Sequence, residues 1–351
     1  MGISIIGTGH YVPGEPVPNE ALAKVMETND EWIRKRTGIR QRHFVSEGEG
    51  VADMSEHAAR RACEDAGITP EDIDFIVFCT MTPEYAFPGS GGLLGAKLGI
   101  ARVPALDIRQ QCAAIPFGLQ VAEGLVATGA AKTVLLVGAD AHAGLMPWTD
   151  WDVVRGERDG EVDQACYERG TRHRGIAVVF GDGAAAMVLR AAPEEGKGFL
   201  AADLHTDGNR YDGIYLPGGG FRSLPYLTHQ TIEDEEYVPR MRGRDLMKTA
   251  VTELSKSIET LCARLELTKH DLDWVIAHQA NDRINGALRK HMGLPEEKVP
   301  SNIARFGNTS AATIGILTDE LRREGKLQEG QLVCFVALGS GLNWGSVLMR
   351  L

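Results

Sequence analysis

No run of about twenty consecutive apolar residues interrupts this 351-residue chain, which leaves it without a candidate membrane-spanning helix. The opening stretch Met1-Gly2-Ile3-Ser4-Ile5-Ile6-Gly7 has neither the basic region nor the long apolar core of a secretion signal. Cysteine is sparse: six residues, at 63, 79, 112, 166, 262 and 334, without the short paired spacings of a zinc site or a disulfide framework. Positive charge is also short. Against 48 Asp+Glu stand 37 Lys+Arg, and the net charge of −11 is the wrong sign for a nucleic-acid surface. These deficits point to a soluble, cytoplasmic protein with no metal site, most of whose cysteines are small buried hydrophobes. A hydrophobic content of 43% is enough for a large core, in one domain or two fused ones.

What the chain does have is near-repetition. Val103-Pro104 precedes Cys112 by nine residues from the valine, and Val299-Pro300 precedes Asn308 by the same nine, an offset of 196 residues. Thr69-Pro70-Glu71-Asp72-Ile73-Asp74-Phe75-Ile76-Val77 is echoed by Thr268-Lys269-His270-Asp271-Leu272-Asp273-Trp274-Val275-Ile276, here at 199. A short insertion or deletion therefore separates the two matches. Helical patterns precede each echo, over 54–67 and 244–265, the second with apolar residues at Leu246, Ala250, Leu254, Ile258, Leu261 and Leu265. Apolar strands follow, over 133–137 and 332–336. The expectation is an α/β protein of two duplicated halves, 1–195 and 196–351, with covered sheets.

On the 196 offset, Cys112 and Asn308 open equivalent buried helices. Pro116 fits the first turn of a helix, where backbone N–H groups lack partners, so the helix begins close to Cys112. A thiol there is expected to have a lowered pKa, making Cys112 a candidate nucleophile rather than one more buried cysteine. His278 ends the strand read from Asp273-Trp274 through Ala277, and strand ends in α/β sheets are where sites are built. A strand-end histidine can equally be structural.

Taken together, Gly7-Thr8-Gly9, Asp30-Glu31-Trp32-Ile33, Arg36-Thr37-Gly38-Ile39, Ala86-Phe87-Pro88, Phe180-Gly181-Asp182-Gly183, His278-Gln279-Ala280-Asn281, Gly307-Asn308-Thr309-Ser310 and Trp344-Gly345-Ser346 resemble the β-ketoacyl-acyl-carrier-protein synthase III family. The resemblance spans essentially the whole chain. It implies a thiolase-like fold with a layered α-β-α-β-α core. It also implies an acyltransferase that condenses an acyl-CoA primer with malonyl-acyl carrier protein, releasing CoA and CO2. Cys112 would carry the acyl group, and His278 and Asn308 would donate hydrogen bonds to the thioester oxygen of the malonyl group as it becomes an enolate. Backbone N–H groups of Cys112 and Ser340 would form a second oxyanion site. Trp32, Arg36 and Arg174 would hold the nucleotide end of CoA, although Trp32 alone could as well be packing. Gly243 and Asn281 would line the pantetheine tunnel, and Phe87 would reach a partner's acyl pocket in a homodimer. Arg283, Arg244 and Lys248 would offer the acidic carrier protein a basic patch, unless they are scattered surface charge. No resident cofactor is implied; CoA arrives as substrate.

Five departures stand out against the family pattern, among them Arg244, which stands where the family often has Asn near the CoA entrance. Gln110 and Gln111 occupy positions commonly held by alanine, Ile115-Pro116 replaces a Gly-Phe type continuation, and Ser340 stands in a run of glycines. The stretch 147–174 is about twenty residues longer than the usual connector. That stretch either shapes the substrate mouth or subunit interface, or is a solvated loop. The departures leave room for a primer longer than acetyl. A degradative thiolase is disfavoured, since Ala337 stands where its second reactive cysteine would be. The alternatives are an acyltransferase serving a hydroxyl or amine, and a catalytically silent partner subunit.

Overall fold

The structure, a computed structural model, describes residues 2–351, with the side chain of Arg244 outside the described residues. Two sheets carry the fold. The first contains β1 (Ile3–Tyr11), β2 (Phe75–Cys79), β3 (Ala105–Ile108), β4 (Thr133–Asp140) and β5 (Gly183–Ala191), in the order β1-β5-β4-β2-β3. The second contains β6 (Gly198–Thr206), β7 (Trp274–Ala277), β8 (Leu332–Gly339) and β9 (Asn343–Arg350), in the order β7-β8-β9-β6. In the first sheet β2 runs parallel to both β3 and β4, in the second β7 runs parallel to β8, and the remaining pairs are antiparallel. The first sheet therefore draws on residues 3–191 and the second on 198–350.

The strands are apolar on both faces because both faces are covered. Along β4 every residue is buried. Its Val134 and Leu136 point to one side, with α3 (Ala114–Ala127) and α8 (Thr313–Arg323); its Leu135 and Val137 face α2 (Val51–Asp65). Val333 and Phe335 of β8 join the central cluster with Ile115, Leu119, Ile314 and Leu317. Helices α3 and α8 thus lie between the sheets. On the far side of the second sheet, α6 (Gly243–Arg264) and α7 (Asp282–Met292) cover Val275 and Cys334. Five layers result, helix-sheet-helix-sheet-helix. Each fully buried Leu or Ile in the middle layer contributes about 1.5–3 kcal/mol.

The halves superpose in sequence at 199, not 196. Short 3-10 turns at Gln111–Ala113 and Ser310–Ala312 lead into α3 and α8, and β4 and β8 follow at the same interval. Cys112 therefore corresponds to Ala311, and Asn308 lies three residues ahead of the position equivalent to Cys112. The Val-Pro match at 196 is correct as spelling but not as register, because the three-residue difference falls before the turns. The turns share one unusual feature: Gln111 and Ser310, each the first residue of its turn, have positive φ, 48° and 50°. Side chains other than glycine rarely adopt this conformation, and it costs local strain.

The stretch 147–174 is not a solvated loop. It folds into α4 (Trp151–Val154) and most of α5 (Gln164–Ala177), with Trp148 buried against Phe44 and Trp151. Asp163 caps α5, its carboxylate accepting from the backbone N–H groups of Ala165 and Cys166.

Candidate active site

Between the two halves opens a cavity of about 470 Å3, lined by Cys112, His278 and Asn308 together with Met81, Gln111 and Ser340. The chain places a thiol, an imidazole and an amide there by three different devices. Cys112 sits in the turn that leads into α3. His278 follows the last residue of β7, its backbone N–H donating to Val336 of the neighbouring strand at 2.9 Å. Asn308 is tied into the first half: its N–H donates to Val179 O at 2.9 Å, and its own carbonyl accepts from Gly181 N at 3.1 Å. Val179 lies one residue beyond the C-cap of α5, Val178, so the long inserted stretch leads into the segment that holds Asn308.

Side-chain contacts fix the orientation of each group. Ser310 Oγ lies 3.3 Å from Cys112 Sγ. Ser310 N donates to Asn308 Oδ1 at 2.9 Å, which holds the amide oxygen and leaves its NH2 free to point elsewhere. His278 Nδ1 lies 2.7 Å from Thr313 Oγ1, whose one hydroxyl hydrogen is shared between two acceptors, this nitrogen and Ser310 O at 3.1 Å. When the Thr313 hydroxyl donates to Nδ1, the imidazole carries its hydrogen on Nε2. Burial pushes the His278 pKa down to about 3, so the ring is neutral throughout the working range.

The thiol departs from expectation. Cys112 keeps some exposure towards the cavity, but protein encloses its sulfur elsewhere. This burial pushes its pKa up to about 12; the Ser310 hydroxyl opposes the rise and the Asp140 carboxylate adds to it. The field at the helix start, expected to lower the thiol, does not overcome desolvation. Cys112 rests as a thiol.

Asp140 and Gly339 end β4 and β8 at equivalent positions. Asp140 is fully buried. Its Oδ2 accepts from Ala311 N at 3.0 Å, and its Oδ1 accepts from Met81 N at 2.8 Å and from the hydroxyls of Thr80 and Thr82 at 3.1 and 3.0 Å. Gly339 lies against Cys112, the counterpart of Ala311. A Cβ there would come within 2.9 Å of Cys112 N and 2.8 Å of Ala113 N. Glycine thus allows the strand to approach the turn without covering the Cys112 N–H. The Ser340 hydroxyl donates to the carbonyl of Ile214, another residue of the cavity lining.

The exposed end of the cavity gathers Arg36, Gly243, Asn281 and Arg283. The end of α1 (Asp30–Thr37) meets the start of α7 here. Gly38, at φ 81°, has no room for a side chain: a Cβ would lie 2.5 Å from Asp282 Cβ. The Arg36 and Arg174 guanidinium carbons lie 4.1 and 4.9 Å from the Trp32 ring centroid. Trp32 is half-buried beside the cavity rather than in its wall. Lys248 is exposed on α6, and Phe87 is 76% exposed away from the cavity.

Sequence reasoning thus brought Cys112, His278 and Asn308 to one place, but it missed Asp140, Ser310 and Thr313. Asp140 had a usable signal, since a carboxylate ending an apolar strand occupies the same kind of position as His278. Ser310 and Thr313 carry no signal of their own beyond following Asn308.

Comparison with known proteins agrees with this architecture. The profile for 3-oxoacyl-[acyl-carrier-protein] synthase III matches residues 106–159 and 164–208, and that for its C-terminal part matches 262–351. The β-ketoacyl-[acyl-carrier-protein] synthase III of Ruegeria pomeroyi is 38% identical over 348 residues, covering 98% of this chain and 97% of the relative. The Xanthomonas campestris enzyme of that name is 38% identical over 349 residues, covering 99% and 97%. The crystal structure of 3-oxoacyl-[acyl-carrier-protein] synthase III from Aquifex aeolicus VF5 superposes with a TM-score of 0.84 at 33% identity, covering all of both chains. With relatives this similar along nearly its whole length, the chain belongs to the 3-oxoacyl-[acyl-carrier-protein] synthase III family of condensing acyltransferases.

Proposed function

We propose that this chain joins an acyl-CoA primer to malonyl-acyl carrier protein, with Cys112, His278 and Asn308 dividing the chemistry. The Cys112 sulfur attacks the thioester carbonyl; its proton leaves with the departing CoA sulfur, and the acyl group remains on the cysteine. The backbone N–H groups of Cys112 and Ser340 stabilise the oxyanion of that step. The malonyl thioester then loses CO2, and the electron pair from the broken C–C bond becomes an enolate. Its oxygen is met by the Asn308 NH2 and the neutral His278 Nε2–H. The enolate carbon attacks the acyl carbonyl, and the Cys112 sulfur departs and takes up a proton. No resident cofactor is needed.

The gathering of those three side chains around one cavity carries this reading. CoA enters past Trp32 and Arg174, then between Arg36, Gly243 and Asn281. Arg283 and Lys248 are exposed beside this entrance and form the docking patch for an acidic carrier protein; the side chain of Arg244, the third residue expected there, lies outside the described residues. Phe87 and Tyr85 are exposed, as is Leu106 on the edge strand β3. An apolar sheet edge of this kind favours a homodimer. Six unpaired cysteines suit the reducing cytoplasm.

Asn308→Ala tests the division of labour. The variant should still take an acyl group onto Cys112, yet release CO2 from malonyl-acyl carrier protein about 10²–10³ times more slowly. CO2 release at the wild-type rate would remove Asn308 from its role.

A further inference from the structure

The cavity has an apolar arm that the reaction so far leaves unexplained. Leu246, Ala250 and Leu254 of α6 form one wall, and Ile284 and Asn285 of α7 form the other, with Leu338 at the end of β8. Leu246 and Leu254 are eight residues apart on one helix, so this wall runs roughly 12 Å. Asn285 interrupts the apolar lining. It is 4% exposed, and its Nδ2 finds no hydrogen-bond partner in the protein. A buried amide without a partner costs about 1–3 kcal/mol, so an aliphatic side chain would suit the fold better.

Asn281, the N-cap of α7, makes the contrast. Its Nδ2 donates to Arg36 O at 3.0 Å and its Oδ1 accepts from Arg283 N at 2.9 Å, so its amide joins α1 to α7. Both asparagines line the cavity, but Asn281 is engaged with protein and Asn285 is not.

We infer that Asn285 is a substrate-reading residue, whose amide hydrogen-bonds an oxygen of the thioester substrate inside the arm between α6 and α7. The oxygen is a carbonyl or hydroxyl. It belongs either to the acyl chain, as in a hydroxyacyl primer, or to a pantetheine amide. This inference rests on the thioester-binding reading of the cavity, although not on the fate of the acyl group.

Binding in the Cys112→Ser background, where acyl-CoA stays intact, separates the two questions. Dissociation constants for hexanoyl-CoA, 3-hydroxyhexanoyl-CoA and CoA are measured by titration calorimetry with and without Asn285→Leu. Asn285→Ser is run alongside in case the leucine variant does not fold. Asn285→Leu should weaken binding roughly 5- to 30-fold. Weakening confined to the hydroxyacyl thioester places the oxygen on the acyl chain. Equal weakening of all three ligands places it on the pantetheine. Unchanged or tighter binding of every ligand overturns the inference. A condensation reading that was wrong would instead show as a wild-type chain that releases no CO2 from malonyl-acyl carrier protein, which leaves these binding comparisons standing.

Discussion

The ends of β4 and β8 occupy the same place in two copies of one design, and they do opposite things. In the first half the strand ends on Asp140, whose carboxylate covers the Ala311 N–H. In the second half it ends on Gly339, which presses on the turn of Cys112 without offering a side chain. Two turns with the same left-handed first residue therefore face different neighbours. One backbone N–H, that of Ala311, is held by a carboxylate; the other, that of Cys112, has no side chain from the strand end over it. A duplicated scaffold becomes a single asymmetric site by deciding which turn is covered. The carboxylate also fixes the turn that follows Asn308, so the covered copy supplies the amide and the uncovered copy the thiol.

Reversing that difference gives the largest expected effect. Gly339→Asp copies the first half's arrangement into the second, placing a carboxylate against the Cys112 N–H. Acyl-enzyme formation should fall at least about 10²–10³-fold, measured by intact mass on protein shown to be folded by circular dichroism. Near-normal acylation would mean that the Cys112 N–H is not an oxyanion donor. Asp140→Asn is milder. It weakens the grip on Ala311, with an expected loss of about 1–3 kcal/mol in denaturant unfolding. It also removes a negative charge that raises the Cys112 pKa, so alkylation of the thiol by iodoacetamide should begin at lower pH than in the wild type. An unchanged alkylation profile would detach Asp140 from the thiol.

A second asymmetric carboxylate gives the smallest effect. Asp319 of α8 accepts from Thr8 Oγ1 at 2.7 Å and pairs with His10 at 2.5 Å and Arg323 at 2.8 Å, joining α8 to β1. Burial alone would raise its pKa; the bonds from His10, Arg323 and Thr8 outweigh it and bring the pKa down to about 2. Because the folded value lies below the unfolded one, its stabilisation is complete above about pH 4. It is lost as the pH falls towards 2. Asp319→Asn should therefore flatten the acid side of the stability curve between those values, by roughly 2 kcal/mol. Parallel wild-type and variant curves would contradict this.

How much of this could be read beforehand differs by residue. His278 and Cys112 were legible because strand ends and helix starts are local features with local signals. The duplication was legible at Thr69 and Thr268, where an intact strand follows each. Its register is not legible at Val103 and Val299, because spelling does not reveal which side of a turn holds a three-residue difference. Asp140 reaches Ala311 across 171 residues of chain, a contact no local pattern marks. Helix α5 has a sound cap in Asp163, but the charged residues around it blur the helical period in the sequence. The thiol's raised pKa depends on enclosure by both halves, which only the assembled fold determines.

The account rests most on Cys112 as the atom that holds the acyl group. Intact-protein mass spectrometry after incubation with acyl-CoA tests it directly. The wild-type chain should gain the mass of one acyl group, and Cys112→Ser should gain none. The same added mass on Cys112→Ser would place the nucleophile elsewhere and contradict the account.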